Sequence, residues 1–314
     1  MKEVLFYRDF KSFTGGQLKV WDYFNHVLHV PNHVPKICFS RDSSWDESNP
    51  WSGLQRYVVD SGTLTCPDIL FLGGLDWLNL PEEQRKSSPI PIINLIQHVR
   101  HAWPNDPRYL FLRHRAIRIC CSEQVAQALR ATGRVEGPLF TIPYGLDLQC
   151  FPEPIPFVEK DLDLLIVANK QPTLGWLLRW WLWRPGRRVQ VLTKLRLRSE
   201  FLRLLNRARI AVFLPNPAEG FYLPALEGMA LGTVVICPDC IGNRSFCLPP
   251  WNCFRPDYNL KAILTSAEAA WQLLPSDSNR FLVNARQTVA QHDLIKERKD
   301  FLKILENVDQ LWHA

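Results

Sequence analysis

The chain has 314 residues, of which 46% are hydrophobic and 22% are charged, and it carries a net charge of +6. This composition is that of a folded globular protein and excludes a disordered or collagen-like chain. The length is sufficient for two domains of ordinary size. No stretch approaches the roughly 20 apolar residues of a membrane-spanning helix, and no long apolar run follows the N-terminal charges. We therefore expect a cytoplasmic protein.

The first half of the chain alternates strand-like and helix-like segments. Short apolar runs bounded by Pro, Gly or polar residues predict strands at residues 4–7, 37–39, 69–72, 92–96, 117–120 and 140–142. Apolar residues at helical spacing predict a helix over 18–30, and Ser122 stands where the N-cap of a second helix is expected. Gly15 and Gly16 lie between the first strand and the first helix and are predicted to form a loop.

A proline-rich segment separates this half from a second series of alternating elements. Three prolines fall within residues 151–156, and proline at this density stiffens the chain as in an interdomain linker. The same criteria then predict strands at 162–167, 189–192, 210–214 and 234–236. They predict helices over 173–183, 199–208, 223–231 and 260–274, and further helix from 280 to the C-terminus.

Regular alternation of strands and helices is typical of parallel sheets covered by helices on both faces. The predicted fold class is therefore α/β, with two Rossmann-like doubly wound domains that face a cleft. Such a cleft is a natural place for a ligand.

One segment of the second half combines a strand end, a tight turn and a helix start. A buried strand is predicted to end near Pro215, Gly220 lies in the turn, and Pro224 suits the first turn of a helix. Backbone N–H groups in the turn and the positive end of the helix dipole favour a phosphate. Glu219 lies in the turn and Glu227 one helical turn inside the helix, where two carboxylates can accept hydrogen bonds from vicinal hydroxyls.

This segment resembles the E-x7-E signature of the retaining family 4 glycosyltransferases, with Gly-Phe and Leu-Pro between the two glutamates. Three further passages match that family in the same order, namely Gly15-Gly16, Ser122-Glu123 and residues 141–147. The resemblance spans most of the chain. It implies a GT-B fold and transfer of a sugar from a nucleotide-diphosphate sugar to a saccharide or lipid-linked acceptor, with retention of anomeric configuration.

The resemblance also implies a role for each domain. Residues 1–155 are expected to form an N-terminal, acceptor-side domain, and residues 156–290 a C-terminal domain that binds the nucleotide sugar. Residues 291–314 are expected to form a C-terminal helix that packs back on the N-terminal domain. The second domain is expected to be shortened, because two strand–helix units rather than three fit before the strand that leads to Glu219.

By the same resemblance, Glu219 contacts the donor sugar, His98 faces that sugar, and Glu227 holds the ribose hydroxyls. Close approach of the backbone to the donor is implied at Gly15, Gly16, Gly220, Phe221, Tyr222 and Leu223. Tyr222 replaces the family's usual glycine, and its side chain is predicted to narrow the sugar pocket or to stack on a ring.

The family holds the diphosphate with an Arg and a Lys, but Asn169 and Leu174 occupy those positions here. Lys170 or Lys194 is predicted to replace them. The resemblance implies a metal-independent enzyme, so no metal and no cofactor is expected beyond the nucleotide-sugar co-substrate. The altered diphosphate site leaves an alternative open, a non-catalytic module that binds a sugar nucleotide or a glycan.

The cysteines offer a second alternative, a metal site. Cys237, Cys240, Cys247 and Cys253 have a spacing compatible with zinc. Cys237, however, ends an apolar run that is typical of a buried strand, which favours buried free thiols.

Residues 176–209 contain ten Lys or Arg residues and a single acid, and several tryptophans lie at the start of this basic segment. We expect most of the tryptophans, Trp176 and Trp180 in particular, to pack into the core while the arginines face solvent. Peripheral contact with the inner face of a membrane is a secondary hypothesis. No nucleic-acid-binding motif accompanies the basic residues, so nucleic acid is not an expected partner.

Overall fold

The computed structural model describes residues 1–60, 66–273 and 275–313. The chain divides into two compact units, the first formed by Met1–Tyr144 with Ile295–Ala314 and the second by Gly145–Leu294. The division thus falls ahead of the proline-rich segment, and the residues from Ile295 onward belong to the first unit. Within the described residues, no helix combines the length and the apolar character that crossing a membrane would require.

Ten strands and ten α-helices are present in the described part of the chain. The strands are β1 Lys2–Arg8, β2 His33–Phe39, β3 Ile69–Gly73, β4 Ile92–Ile96, β5 Ile117–Cys120, β6 Leu139–Thr141, β7 Leu162–Val167, β8 Val189–Leu192, β9 Ala208–Phe213 and β10 Val234–Ile236. The helices are α1 Gly15–Leu28, α2 Glu82–Lys86, α3 Glu123–Arg130, α4 Pro172–Leu182, α5 Arg198–Arg207, α6 Leu223–Ala230, α7 Leu260–Trp271, α8 Pro275–Gln291, α9 Leu294–Glu306 and α10 Val308–His313. Every predicted strand is found. The predicted end of the helix over 260–274 lies outside the described residues.

The first unit contains a six-stranded sheet in the order β2-β1-β3-β4-β5-β6. All of its neighbouring strands are parallel. β3, β4 and β5 are buried along their whole length, as expected for parallel strands covered on both faces. β2 and β3 lie on opposite sides of β1 in the sheet. The switch point of this sheet is therefore the boundary between β1 and β3.

The loop predicted at Gly15 and Gly16 is wrong, because both residues form the first turn of α1. Thr14 is the N-cap, and its hydroxyl accepts a hydrogen bond from the Gln17 backbone N–H at 3.3 Å. A threonine cap stabilises a helix start by about 1 kcal/mol, which is comparable to the cost of one glycine in a helix.

The continuous helix expected from residue 280 to the C-terminus is also wrong, because α8, α9 and α10 occupy this region. Leu146 interrupts the helical backbone between α8 and α9. Its N–H donates to the His292 carbonyl at 2.9 Å, and its carbonyl accepts from the Leu294 N–H at 3.3 Å. A Cβ on Gly145 would come within 2.5 Å of the Asp293 backbone, so glycine is required for this close approach.

A buried network of charged side chains joins α1 to α9 within the first unit. Lys19 Nζ lies 2.6 Å from Glu297 Oε2 and 2.7 Å from Asp22 Oδ2, and the Lys19 and Glu297 side chains are fully buried. His26 Nε2 lies 3.3 Å from the second Glu297 oxygen. Burial acts to lower the pKa of Lys19, but the Asp22 and Glu297 carboxylates outweigh it and hold that pKa above its ordinary value. The network therefore fastens the C-terminal helices to the first helix of the unit.

The second unit contains a four-stranded sheet in the order β10-β9-β7-β8, and all of its strands are parallel. From β7 the chain passes through α4 to β8 on one side, and from β8 through α5 to β9 on the other side of β7. The switch point of this sheet therefore lies between β7 and β9. In open parallel sheets, ligands bind beyond the carboxyl ends of the strands at such a point.

α4 packs on this sheet in a different orientation from the one predicted. Leu178 and Leu182 are buried in the core, whereas Trp176 and Trp180 are exposed. Gly175 sets this arrangement, because a Cβ there would lie 2.2 Å from the Ala168 side chain. The helix approaches β7 along the row of Gly175, Leu178 and Leu182, and this rotation places the tryptophans outside.

Lys160 links two helix ends of the second unit at its base. Its buried ammonium donates to the Asn206 carbonyl at 2.6 Å and to the Leu231 carbonyl at 2.9 Å. These carbonyls lie at the C-terminal ends of α5 and α6, where a cation satisfies unpaired acceptors and complements the helix dipole. Lys160 thereby holds α6, which carries Glu227, against α5.

Candidate functional site

The carboxyl ends of β7 and β9 bring together a lysine and a glutamate at the switch point of the second sheet. Lys170 follows β7 and Glu219 follows β9, and Lys170 Nζ lies 3.8 Å from Glu219 Oε1. The lysine is about half-exposed and the glutamate is largely buried. The pair thus places a cation and an anion at the point in this fold where ligands bind.

A turn after β10 holds the segment that contains Glu219. The Ile241 N–H donates to the Pro217 carbonyl at 3.2 Å, and the Tyr222 N–H donates to the Gly242 carbonyl at 3.0 Å. A Cβ on Gly242 would lie 2.7 Å from both the Glu219 carbonyl oxygen and the Phe221 nitrogen. The turn at 241–243 therefore fixes the course of the backbone through Gly220 and Phe221.

Gly242 has a positioning role that the sequence analysis missed. The available signal was a glycine in the loop that follows the last predicted strand of the second half, because ligand loops of parallel sheets lie beyond the carboxyl ends of the strands. No pattern in the sequence indicates which segment this glycine contacts.

Aromatic side chains anchor the same segment in the core of the second unit. The Phe221 ring stacks on Phe246 at a centroid distance of 5.0 Å and meets His292 edge-on at 5.4 Å. The Tyr222 ring is buried and contacts Phe213 edge-on at 6.1 Å. Because both rings are buried, the segment from Gly220 to Leu223 is held by its side chains as well as by its backbone.

α6 starts directly after this segment and supplies a helix N-terminus at the same edge of the sheet. Its N-cap is Tyr222, which makes no side-chain capping bond, and Pro224 lies in its first turn. The first N–H groups of a helix and its dipole attract anions. The N-terminus of α6 therefore adds a positive potential four residues after Glu219, which itself pairs with Lys170.

Glu227, one turn inside α6, forms an ion pair with Arg198 at the start of α5. Arg198 Nη1 donates to Glu227 Oε1 at 2.5 Å, with side-chain exposures of 25% for the arginine and 3% for the glutamate. The guanidinium lies 5.7 Å from the centroid of the Phe151 ring. Arg198 was not among the predicted site residues, although it lies in the basic segment only four residues after Lys194.

Lys194 occupies a different environment from Lys170. It lies in the exposed segment after β8, and among the residues described here no ion pair joins it to Glu219 or Glu227. The two glutamates of the motif instead pair with Lys170 and Arg198 respectively.

The predicted residues of the first unit gather at the carboxyl edge of its own sheet. Gln97 directly follows β4 and donates from Nε2 to the Gly16 carbonyl at 3.1 Å. A Cβ on Gly16 would lie 3.2 Å from Gln97 Oε1. His98, the next residue, is half-buried. The structure thus brings the first turn of α1 together with the segment that carries His98.

The switch point of the first sheet holds a buried ion pair. Arg8, the last residue of β1, donates from Nη1 to Asp76 Oδ2 at 3.1 Å, and the Gly73 N–H at the end of β3 donates to the same oxygen at 2.9 Å. Burial raises the pKa of Asp76 to about 6, against the opposing effect of the Arg8 guanidinium. This polar centre was not predicted, because neither residue belongs to a recognisable motif.

Groups that could hold a metal ion are absent from residues 1–60, 66–273 and 275–313. Cys237, Cys240, Cys247 and Cys253 are buried free thiols, and the Asn243 amide donates to Cys237 Sγ at 3.1 Å. Asp161 and Asp163, which have D-x-D spacing, form ion pairs with Arg207 at 2.7 Å and Arg209 at 2.5 Å.

No known family model matches the sequence, and no curated protein matches it. Among solved structures, the chain is similar to sucrose-phosphate synthase from Thermosynechococcus elongatus, with a TM-score of 0.73, 12% identity and coverage of 99% of this chain and 100% of that chain. It is similar to HepE from Anabaena in complex with UDP, with a TM-score of 0.75, 12% identity and coverage of 98% and 100%. The lipopolysaccharide outer core galactosyltransferase WaaB gives a TM-score of 0.69 at 12% identity, with coverage of 98% and 99%.

At these identities the likeness shows the fold. The three neighbours are GT-B glycosyltransferases, and both units of this chain are built on parallel α/β sheets. The predicted fold class, α/β with two Rossmann-like doubly wound domains of the GT-B type, is therefore confirmed.

Proposed function

We propose that this protein is a glycosyltransferase that transfers a sugar from a nucleotide-diphosphate sugar to a saccharide or lipid-linked acceptor. The observation that carries the proposal is the Lys170–Glu219 pair at the switch point of the second sheet, next to the N-terminal segment of α6. HepE structures that contain UDP and UDP-glucose support a nucleotide-sugar donor for a chain of this fold.

In the proposed complex, the diphosphate lies at the N-terminus of α6, where Lys170 and the helix dipole balance its charge. The family that the sequence resembles binds the diphosphate with an Arg and a Lys, and Leu174, at one of these two positions, packs against the core of the unit. Lys170 is therefore proposed to supply the positive charge instead. Glu219 accepts hydrogen bonds from the hydroxyls of the sugar. These groups bind the donor without a metal ion.

Glu227 is proposed to hold the ribose, with Arg198 as its positioning residue. A carboxylate has about four lone-pair sites, and Arg198 uses only the Oε1 side. The arginine thereby holds the Glu227 carboxylate in one orientation, while the remaining acceptor sites take the ribose hydroxyls.

The proposed reaction proceeds with retention. The bond between the anomeric carbon and the diphosphate oxygen breaks, and the acceptor hydroxyl oxygen bonds to that carbon on the same face. The hydroxyl proton passes to the departing diphosphate oxygen. Stabilisation of the developing negative charge by fixed donors is commonly the largest catalytic contribution, so Lys170 and the α6 N-terminus would supply most of the rate.

A panel of nucleotide sugars tests the proposal, with release of nucleoside diphosphate and transfer to added glycans or glycolipids as readouts. Glu219→Gln should lower transfer on the order of 100-fold, because a hydrogen bond that matters in the transition state is lost. Its affinity for the nucleoside diphosphate alone should stay near that of the wild type. The matched control is Glu200→Gln on the exposed side of α5, and equal activity of the two variants would contradict the assigned role.

A second candidate function is a module that binds a sugar nucleotide without transferring the sugar. It is favoured by Asn169 and Leu174, which occupy positions where the family that the sequence resembles has basic residues. Calorimetric binding of a nucleotide sugar without turnover, across the acceptor panel, would support this function over the first. His98→Ala belongs in the same panel, because the role of His98 rests on the resemblance.

A further inference from the structure

α4 presents an aromatic surface to the outside of the second unit. We define the outer face of α4 as Trp176, Leu177, Trp180 and Trp181 together with Trp183, the C-cap residue of the helix. The four tryptophans are exposed by 54%, 69%, 48% and 53%, and Leu177 by 41%. Large apolar side chains that are exposed together mark a binding surface far more often than single exposed ones do.

Helical spacing makes these side chains one continuous surface. Trp176, Trp180 and Trp183 lie in one row, and Leu177 and Trp181 lie in the adjacent row, because residues three and four apart are neighbours on a helix. The Trp180 and Trp181 rings meet edge-on at a centroid distance of 5.0 Å. Since Leu178 and Leu182 bury the opposite side, α4 is apolar both towards the core and towards the outside.

Along the chain, the charged residues next to this surface are all basic, and in space the Glu268 carboxylate of α7 lies 3.7 Å from the Arg184 guanidinium. No acidic residue occurs from Pro172 to Arg198, which includes α4 and the segment that follows it. The Arg179 guanidinium lies 6.0 Å from the centroid of the Trp176 ring. Arg184 donates to the carbonyls of Trp181 and Trp183 at 2.7 and 2.9 Å, so its guanidinium lies at the end of the aromatic rows.

We propose that the outer face of α4 binds the surface of an anionic lipid bilayer. Indole rings are enriched at the level of lipid headgroups, where their apolar body and polar N–H are both satisfied. Arginine side chains next to them pair with lipid phosphates. Apolar burial combined with attraction to anionic headgroups is the physical basis of peripheral binding by a helix face.

Two other occupants fit this surface less well. A second copy of the chain in a two-fold dimer would place the same patch on both sides, and it would bring the arginines of both copies together. Single-stranded nucleic acid stacks its bases on aromatic rings, but the aliphatic Leu177 offers no ring for stacking. The bilayer proposal does not depend on the proposed sugar transfer.

The test is flotation of the full-length protein with vesicles. Wild-type protein should float with vesicles of phosphatidylcholine and phosphatidylglycerol, and it should bind markedly less to phosphatidylcholine alone and at high salt. Brominated lipids should quench part of its tryptophan fluorescence. Trp180→Ser combined with Trp181→Ser should weaken vesicle binding on the order of tenfold and remove most of the quenching.

Trp103→Ser is the matched control, because Trp103 is 47% exposed but lies in the first unit. It should bind vesicles as the wild type does. Arg179→Gln is a second variant that leaves every tryptophan in place, and it should reduce the preference for anionic vesicles. Circular dichroism and thermal unfolding report whether each variant is folded.

Outcomes of three kinds would overturn the proposal. The first is wild-type protein that does not float with anionic vesicles, or a folded double variant that binds them as well as Trp103→Ser does. The second is a dimer, measured by light scattering, that the double variant converts to a monomer. The third is an oligonucleotide that binds the wild type, competes with vesicles and loses affinity in the double variant.

Discussion

Arg198 and Glu227 form a pair in which the glutamate is buried and the arginine is only partly so. A buried acceptor that loses its donor costs about 1–3 kcal/mol. We therefore predict that Arg198→Gln lowers the free energy of unfolding by about that amount and weakens binding of the nucleoside diphosphate. Denaturant titration and calorimetry provide the two measurements.

Arg203→Gln on the same helix is the control for this prediction, because Arg203 is exposed and bonds only to the Ser199 carbonyl among the contacts described. Surface substitutions of this kind usually change stability by less than about 0.5 kcal/mol. If Arg198→Gln changed the free energy of unfolding and the binding of the nucleoside diphosphate as little as Arg203→Gln does, the proposed role of the Arg198–Glu227 pair would be contradicted.

At the scale of elements, the turn at Ile241–Asn243 acts on the segment after β9. Gly242→Ala must displace either the turn or the Glu219–Phe221 backbone, because the added Cβ has no room. Overpacking of this kind costs about 1–3 kcal/mol. We expect a loss of donor affinity and transfer in a protein that remains folded, measured by calorimetry and by product formation.

Gly53→Ala is the comparison for Gly242→Ala, because a Cβ at Gly53 meets no atom within 4 Å. It should be neutral or slightly stabilising, since alanine reduces the freedom of the unfolded chain. Similar donor affinities in the two variants would show that the turn does not position the segment.

Elements were predictable from the sequence where one physical cause dominates. The buried strands were predictable because β3, β4, β7 and β10 are largely apolar runs between clear boundaries. The start of α1 depends on a threonine cap, and the break between α8 and α9 depends on hydrogen bonds to Leu146, which is distant in the sequence. The face that α4 buries depends on the clearance at Gly175, a contact that periodicity does not contain.

The candidate site was predictable to a similar extent. The E-x7-E motif locates Glu219 and Glu227, because strand, turn and helix signals occur there together. The partners of these glutamates come from other strands and helices. Lys170 could be proposed as a displaced cation, whereas Arg198 and Gly242 act through contacts across the sheet edge that only the folded chain brings together.

For the molecule as a whole, stability in acid depends in part on His101. Burial, with a further contribution from the Arg108 guanidinium, lowers the pKa of His101 to about 3. Between pH 6.5 and 3 the unfolded chain binds a proton at this residue that the folded protein does not bind. His101 therefore lowers the free energy of unfolding by roughly 1.4 kcal/mol for each pH unit of acidification in that window.

His101→Gln should remove this contribution, so that its stability relative to the wild type improves as the pH falls from 6.5 to 3. Groups that titrate equally in both proteins cancel in the comparison. Replacement of the exposed His313 by Gln is the control. A constant difference in stability between His101→Gln and wild type over this range would contradict the buried neutral histidine.

The Lys19–Glu297 contact can form only late in synthesis of the chain, because the residues of the second unit lie between its two partners. Glu297 leaves the ribosome only after all of residues 145–294, so the second unit can complete its fold while the first still lacks one of the two carboxylates that pair with Lys19. Until then Asp22, on α1 itself, is the carboxylate that balances the Lys19 ammonium, and α9 does not yet cover α1. A nascent chain arrested before Glu297 is therefore expected to expose more of α1 to proteases and chaperones than the complete chain does.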